Sequence, residues 1–133
     1  MRAVIVTVLA LTVVVAAGCG AVGRVTSGDP AVGKTLFVDK CGSCHTLADA
    51  KTTGAVGPNL DDAFASVKEQ GFHLSTITDV IRGQIAYPDT NTGTGAPGMT
   101  PNLLHGQQAK DVSIYVAECA AVPSCGVTAK PVK

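Results

Sequence analysis

Cys41-Gly42-Ser43-Cys44-His45 is the stretch that decides how the rest of the chain is read. Its spacing is C-x-x-C-H, the haem-attachment pattern. On one helical turn, residues three and four apart share a face, so both thiols and the imidazole can meet one flat object. Two thiols can add across two vinyl groups at a porphyrin edge and leave thioethers. The imidazole beside them then falls over the iron as a ligand that cannot drift away. Gly42 and Ser43 are small and let a macrocycle edge approach the backbone. A dithiol redox motif and half of a zinc site are the other uses of such a pair. The first expects the strand–helix alternation of a thioredoxin-like fold, which does not surround this one. The second expects another ligand pair, and no second C-x-x-C or H-x3-H occurs. The pattern points to one haem c, with its iron, covalently bound per chain.

The chain has 133 residues, one domain's worth. Ten basic residues balance ten acidic ones, which argues against a nucleic-acid binder and against a strongly basic membrane-surface protein. There is no Trp, and only three Phe and two Tyr, so a domain of this size has little with which to build a core. A covalently held haem would supply a large apolar plate to pack against.

Residues 1–18 have a short positive start, Arg2, and a long apolar run, as in a secretory signal. The run ends in Ala16-Ala17-Gly18-Cys19, small residues before a cysteine, which resembles the lipobox of bacterial lipoproteins. That resemblance implies cleavage before Cys19 and lipid on its sulfur and new amino group, anchoring the protein through several acyl chains. An uncleaved membrane anchor and a plain secretory product are the alternatives. All three place the mature domain outside the cytoplasm, in the periplasm or on the outer face of the membrane. Residues 19–29 read as a flexible tether.

Asp29-Pro30 predicts a helix start, with an acidic N-cap and Pro at the first position. Val32, Leu36 and Phe37 fall on one face of that helix, and Gly33 is small enough for another backbone to come close. After His45, residues 46–53 read as polar loop, Gly57-Pro58-Asn59-Leu60 as a rigid corner and residues 61–69 as a short helix. Ser75 is a good N-cap for a helix whose Ile77, Val80, Ile81 and Ile85 recur at helical spacing. His73 just before it is an isolated, solvated imidazole.

Residues 86–104 show no periodicity, and a compact domain carries so long an irregular segment only for a reason. Met99 is that reason. It is the only methionine besides the initiator and sits between Pro97 and Pro101, so it is the one thioether that can be the sixth iron ligand. A last helix over residues 107–121 places Ala109, Val112, Val116 and Cys119 on one face, with the Val32-Leu36-Phe37 face as its partner. Outside the cytoplasm, Cys119 and Cys125 are expected to pair as a disulfide. The domain then spans residues 30–126, and 127–133 read as a frayed tail.

In this order the pieces resemble a class I cytochrome c, a small single-haem electron carrier, over residues 31–122. The resemblance implies an all-α fold, three to five helices wrapped around one covalently bound haem. It implies thioethers at Cys41 and Cys44, axial ligands His45 and Met99, and a hydrogen bond from the far His45 nitrogen to the Pro58 carbonyl. Gly33, Phe37 and Tyr115 would form the crossing of first and last helices. Thr100 stands where many relatives have proline after the ligand methionine. The implied function is one-electron transfer on the extracytoplasmic face, in a respiratory or related chain, by a monomer that docks transiently with a redox donor and acceptor. A haem sensor or peroxidase-like enzyme, and a fixed haem subunit of a larger complex, are the rivals.

The N-terminal cysteine gives a first prediction. Cys19→Ser moves the protein from the membrane fraction to the soluble extracytoplasmic fraction if lipid is the anchor. Continued membrane retention would show that the apolar run itself holds the protein.

Overall fold

A computed structural model describes residues 23–91, 95 and 97–132. The signal-like segment and Cys19 lie outside the described residues. Four helices and one minimal hairpin make up the regular structure among them.

Helix α1 runs Pro30–Lys40. The Asp29 carboxylate accepts from the Ala31 and Val32 amides at 3.0 and 3.4 Å, and Pro30 takes the first turn, where its missing N–H has no partner to lose. Where the sequence predicts a polar loop, two short strands pair antiparallel, β1 (Thr46–Leu47) and β2 (Thr52–Thr53). Leu47 is fully buried and ties this hairpin to the core. Helix α2 spans Leu60–Glu69, capped by Asn59, whose side-chain oxygen accepts from the Asp61 amide at 3.0 Å.

Helix α3 spans Leu74–Ala86 with His73, not Ser75, at the N-cap. The helix starts one residue before Ser75, leaving that serine in the first turn, and no side chain caps it. His73 is exposed. The buried stripe of α3 is Ile77, Thr78, Ile81, Ile85 and Ala86. Val80, assigned to that stripe by spacing, is 52% exposed instead. At 3.6 residues per turn it lies about 130° around from the stripe's centre, a difference that apolar spacing alone does not register. Helix α4 spans Gly106–Cys119 and is the most deeply buried element.

The frame is the crossing of α1 and α4, with α3 packed on the latter. A Cβ on Gly33 would stand 2.8 Å from Tyr115 Cβ and nearer still to the Asp111 backbone, so no side chain fits there. Phe37 and Tyr115 meet edge to face, centroids 5.9 Å apart. Such a pair adds about 0.5–1.5 kcal/mol beyond the area it buries. Leu36, Phe37, Ile77, Ile81, Ile85, Leu104, Val112 and Val116 belong to a single core cluster.

Both flanking segments are more tightly held than their composition suggests. The Val25 amide donates to Asp79 at 2.8 Å, and the Asp29 amide donates to the buried Asp111 carboxylate at 2.8 Å. The tail lies along α1: Lys34 Nζ donates to the Val127 carbonyl, Thr35 Oγ1 to the Lys130 carbonyl, and the Lys130 amide to the Ala31 carbonyl. Main-chain partners are invisible to composition, so residues 23–29 and 127–132 read as loose segments in one dimension and as straps in three.

Cys119 and Cys125 form a disulfide with Cα atoms 5.1 Å apart. Beside it Ala121 takes a left-handed φ of 58° and its amide donates to Asp61 at 2.8 Å. Lys68 reaches across from α2 to donate to the Glu118 and Ala120 carbonyls, a cation at the negative end of α4. Burial holds the Lys68 ammonium below the usual lysine range, partly offset by Asp61 and Glu118.

Gly33→Ala should therefore lower stability by about 2–3 kcal/mol, the upper range for overpacking, because backbone rather than a flexible side chain stands in the way. Chemical denaturation reads this as a lower midpoint with an unchanged slope. An unchanged midpoint would show that the helices can separate without loss.

Candidate functional site

The site begins where α1 ends. Cys41 is its C-cap, and the Cys41 and Gly42 amides both donate to the Phe37 carbonyl, at 2.8 and 2.9 Å. The Cys41 carbonyl in turn accepts from the Cys44 amide at 3.0 Å and the His45 amide at 2.9 Å. One hydrogen-bonded turn thus carries both thiols and the imidazole. Cys41 is buried and Cys44 half-buried, and neither is in a disulfide. Burial pushes the Cys41 thiol up to about 11, with a smaller contribution from Cys44. Among the described residues no group of three or more His, Cys, Asp or Glu side chains converges as a metal-ion ligand set.

His45 is positioned from three sides. Its Nδ1 lies 2.9 Å from the Pro58 carbonyl oxygen. A carbonyl can only accept, so Nδ1 carries the proton and the Nε2 lone pair is the free donor. Beneath the ring lies Gly57, where a Cβ would stand 2.5 Å from His45 Cε1 and 2.7 Å from Nδ1. The Gly57 amide donates to the Cys44 carbonyl at 2.8 Å, fixing this floor to the cysteine turn. Thr52 holds the backbone behind, donating from Oγ1 to the His45 carbonyl at 2.9 Å and accepting from the Leu47 amide at 3.0 Å.

Met99 is half-buried and packs against the cluster that contains Cys41 and the α3 isoleucines. Its loop folds back on α3, where the Asn102 amide donates to the Ile85 carbonyl at 2.8 Å with Asn102 in the left-handed region at φ 53°. The structure therefore brings Cys41, Cys44, His45 and Pro58 together by direct bonds, and Met99 to the same core. Cys119 and Cys125 are bonded to each other at the end of α4.

Several supporting residues lie outside any motif. Tyr115 donates to Asp49 at 2.8 Å, and the same carboxylate oxygen pairs with Lys34 at 3.0 Å. The Asp49 side chain is only 8% exposed, so the pair is shielded. Burial first, and then the Asp49 hydrogen bond, raise the Tyr115 phenol far above its usual range. Asp61 joins two segments, accepting from the Ala48 amide at 2.7 Å and the Ala121 amide at 2.8 Å. In sequence Lys34, Asp49 and Asp61 look like ordinary surface charges. The one signal for Gly57 was its place before Pro58.

These residues fit a covalently attached haem. Two unpaired thiols on one turn could form its thioethers. An imidazole with Nδ1 engaged and Nε2 free could bind its iron. A glycine leaves room for the ring to sit flat. Gly57→Ala tests the seat: a methyl group there displaces the imidazole from the Pro58 carbonyl. The holoprotein should show a shifted Soret band and lower thermal stability. A spectrum identical to the unaltered protein would show that the ring tolerates the methyl.

Comparison with known proteins agrees with this chemistry. A family model described as cytochrome c matches residues 30–120. Among solved structures, the c-type cytochrome SorU from Sinorhizobium meliloti superposes with a TM-score of 0.50 at 24% sequence identity, covering 77% of this chain and 95% of that one. At that identity the likeness speaks for the fold.

Proposed function

Since the chain belongs to the cytochrome c family, we propose that it is a membrane-tethered one-electron carrier on the extracytoplasmic face, with His45 and Met99 as the axial iron ligands. Its coarser chemistry follows from the family: covalently bound haem c, electron transfer rather than enzymatic turnover. When bound, haem supplies a one-electron Fe(III)/Fe(II) couple.

The chain's own residues do the rest. Cys41 and Cys44 hold the cofactor through thioethers, so it stays in place through every redox cycle. His45 presents Nε2 to the iron, and the 2.9 Å contact with Pro58 keeps the ring in that orientation and raises its donor strength. That contact is the observation that carries the proposal, because it makes the imidazole next to the cysteine pair a preoriented ligand. Met99, on a loop bracketed by prolines, would supply a thioether to the iron, and a Met/His pair favours a raised potential. With His45 and Met99 both bound to it, the iron would offer oxygen and peroxide no open coordination site.

Among the described residues no helix is long and apolar enough to cross a membrane. In this reading the N-terminal segment attaches the protein to the membrane, through lipid on Cys19. Partners dock weakly and leave, as carriers require. The protein acts as a monomer, in a respiratory or related chain.

Absorption spectroscopy of the holoprotein and of Met99→Ala tests the ligand pair. The unaltered protein should be low-spin, show the weak red sulfur-to-iron band when oxidised and fail to bind CO when reduced. Met99→Ala should lose that band and bind CO. CO binding by the unaltered protein would overturn the carrier assignment in favour of a sensor or peroxidase-like site.

A further inference from the structure

Arg82 stands on α3 in the buried arc, between Thr78 and Ala86 as the helix turns. Its neighbours one turn away on that face, Thr78, Ile85 and Ala86, are all buried, at 4%, 4% and 2% exposure. Arg82 Nε and Nη1 are buried with no hydrogen-bond partner, the only such side-chain atoms among the described residues. A guanidinium stays charged at every physiological pH. Burying its N–H donors without a partner is unfavourable.

Polar groups close to Arg82 in sequence have partners of their own. Asp79 pairs with Arg24 at 3.4 Å and accepts from the Val25 amide. Asp89 accepts from the Asn91 amide at 2.9 Å. The Thr78 hydroxyl donates to the Leu74 carbonyl at 2.8 Å. The missing partner is therefore an anion that enters the core with something else. Haem carries two propionate carboxylates at one edge of an apolar plate. The α3 stripe that Arg82 interrupts belongs to the cluster that contains Cys41 and receives Met99.

We infer that Arg82 is the anchor of a haem propionate, its buried N–H donors paired with that carboxylate when the cofactor is in place. A charge-assisted hydrogen bond of this kind is about twice as strong as a neutral one. A water molecule in the same place would satisfy the donors but leave the charge unbalanced. The pairing makes Arg82 a positioning residue, fixing which way the plate faces and offsetting one negative charge beside the iron. It rests on bound haem alone, not on Met99 ligation or on membrane attachment.

Two measurements on the holoprotein decide it. Proton NMR of the reduced, diamagnetic form should show a nuclear Overhauser contact between Arg82 Nε–H and propionate methylene protons. This uses the unaltered protein, so it stands even if a variant fails to fold. Redox titration of Arg82→Gln should show the oxidised form favoured about tenfold at a fixed solution potential, equivalent to a midpoint ~59 mV lower for one electron. Arg82→Lys, which keeps the cation, should recover most of that shift. Absence of the Overhauser contact, or an Arg82→Gln midpoint equal to that of the unaltered protein, overturns the assignment. Loss of haem from the unaltered protein on a denaturing gel would instead contradict covalent attachment, a separate outcome.

Discussion

The closeness of α1 to α4 at Gly33 sets the distances on which the other contacts depend. There the Asp111 backbone and the Tyr115 side chain occupy the space a Cβ would need. At that separation the Phe37 and Tyr115 rings meet edge to face, and the Tyr115 hydroxyl reaches Asp49. Asp49 belongs to the turn between the hairpin strands, so the helix crossing also anchors the segment that follows His45. Through that chain of contacts a glycine in the first helix bears on the orientation of an imidazole twelve positions later.

Polar contacts connect the segments that apolar packing leaves separate. Lys34 and Asp49 form a shielded pair further held by Tyr115, so removing one member strands the others and costs more than the pair itself is worth. Asp61 clamps the hairpin to the turn after α4, and Lys68 satisfies carbonyls at the end of the same helix. Around the disulfide these contacts make the C-terminal corner rigid, in a chain with few aromatic residues to build a core. Covalent attachment of a cofactor and a short disulfide loop are two solutions to the same scarcity.

Local signals were legible wherever the chemistry depends on neighbours in sequence. Asp29 with Pro30 marks a helix start because cap and first turn are adjacent, and α1 begins there. Ser75 misleads because a capping side chain is only an option, and α3 begins one residue earlier without one. Val80 misleads because periodicity marks an apolar stripe but not its width. The hairpin was hidden in a polar stretch, where Leu47 is the one buried residue of the two strands. Residues 23–29 and 127–132 read as loose because their partners are main-chain groups and carboxylates brought near only by folding.

Spacing in the sequence determined the haem-attachment turn, the single candidate thioether, the small residue at the helix crossing and the pairing of the last two cysteines, because each depends on residue type at short range. Only the tertiary structure decided that Gly57 floors the His45 ring, that Asp49 bridges Lys34 and Tyr115, that both flanking segments strap the domain and that Arg82 has buried donors without a partner. Those facts depend on which distant groups share a place and on what water no longer reaches. Neither is encoded by any one stretch of chain.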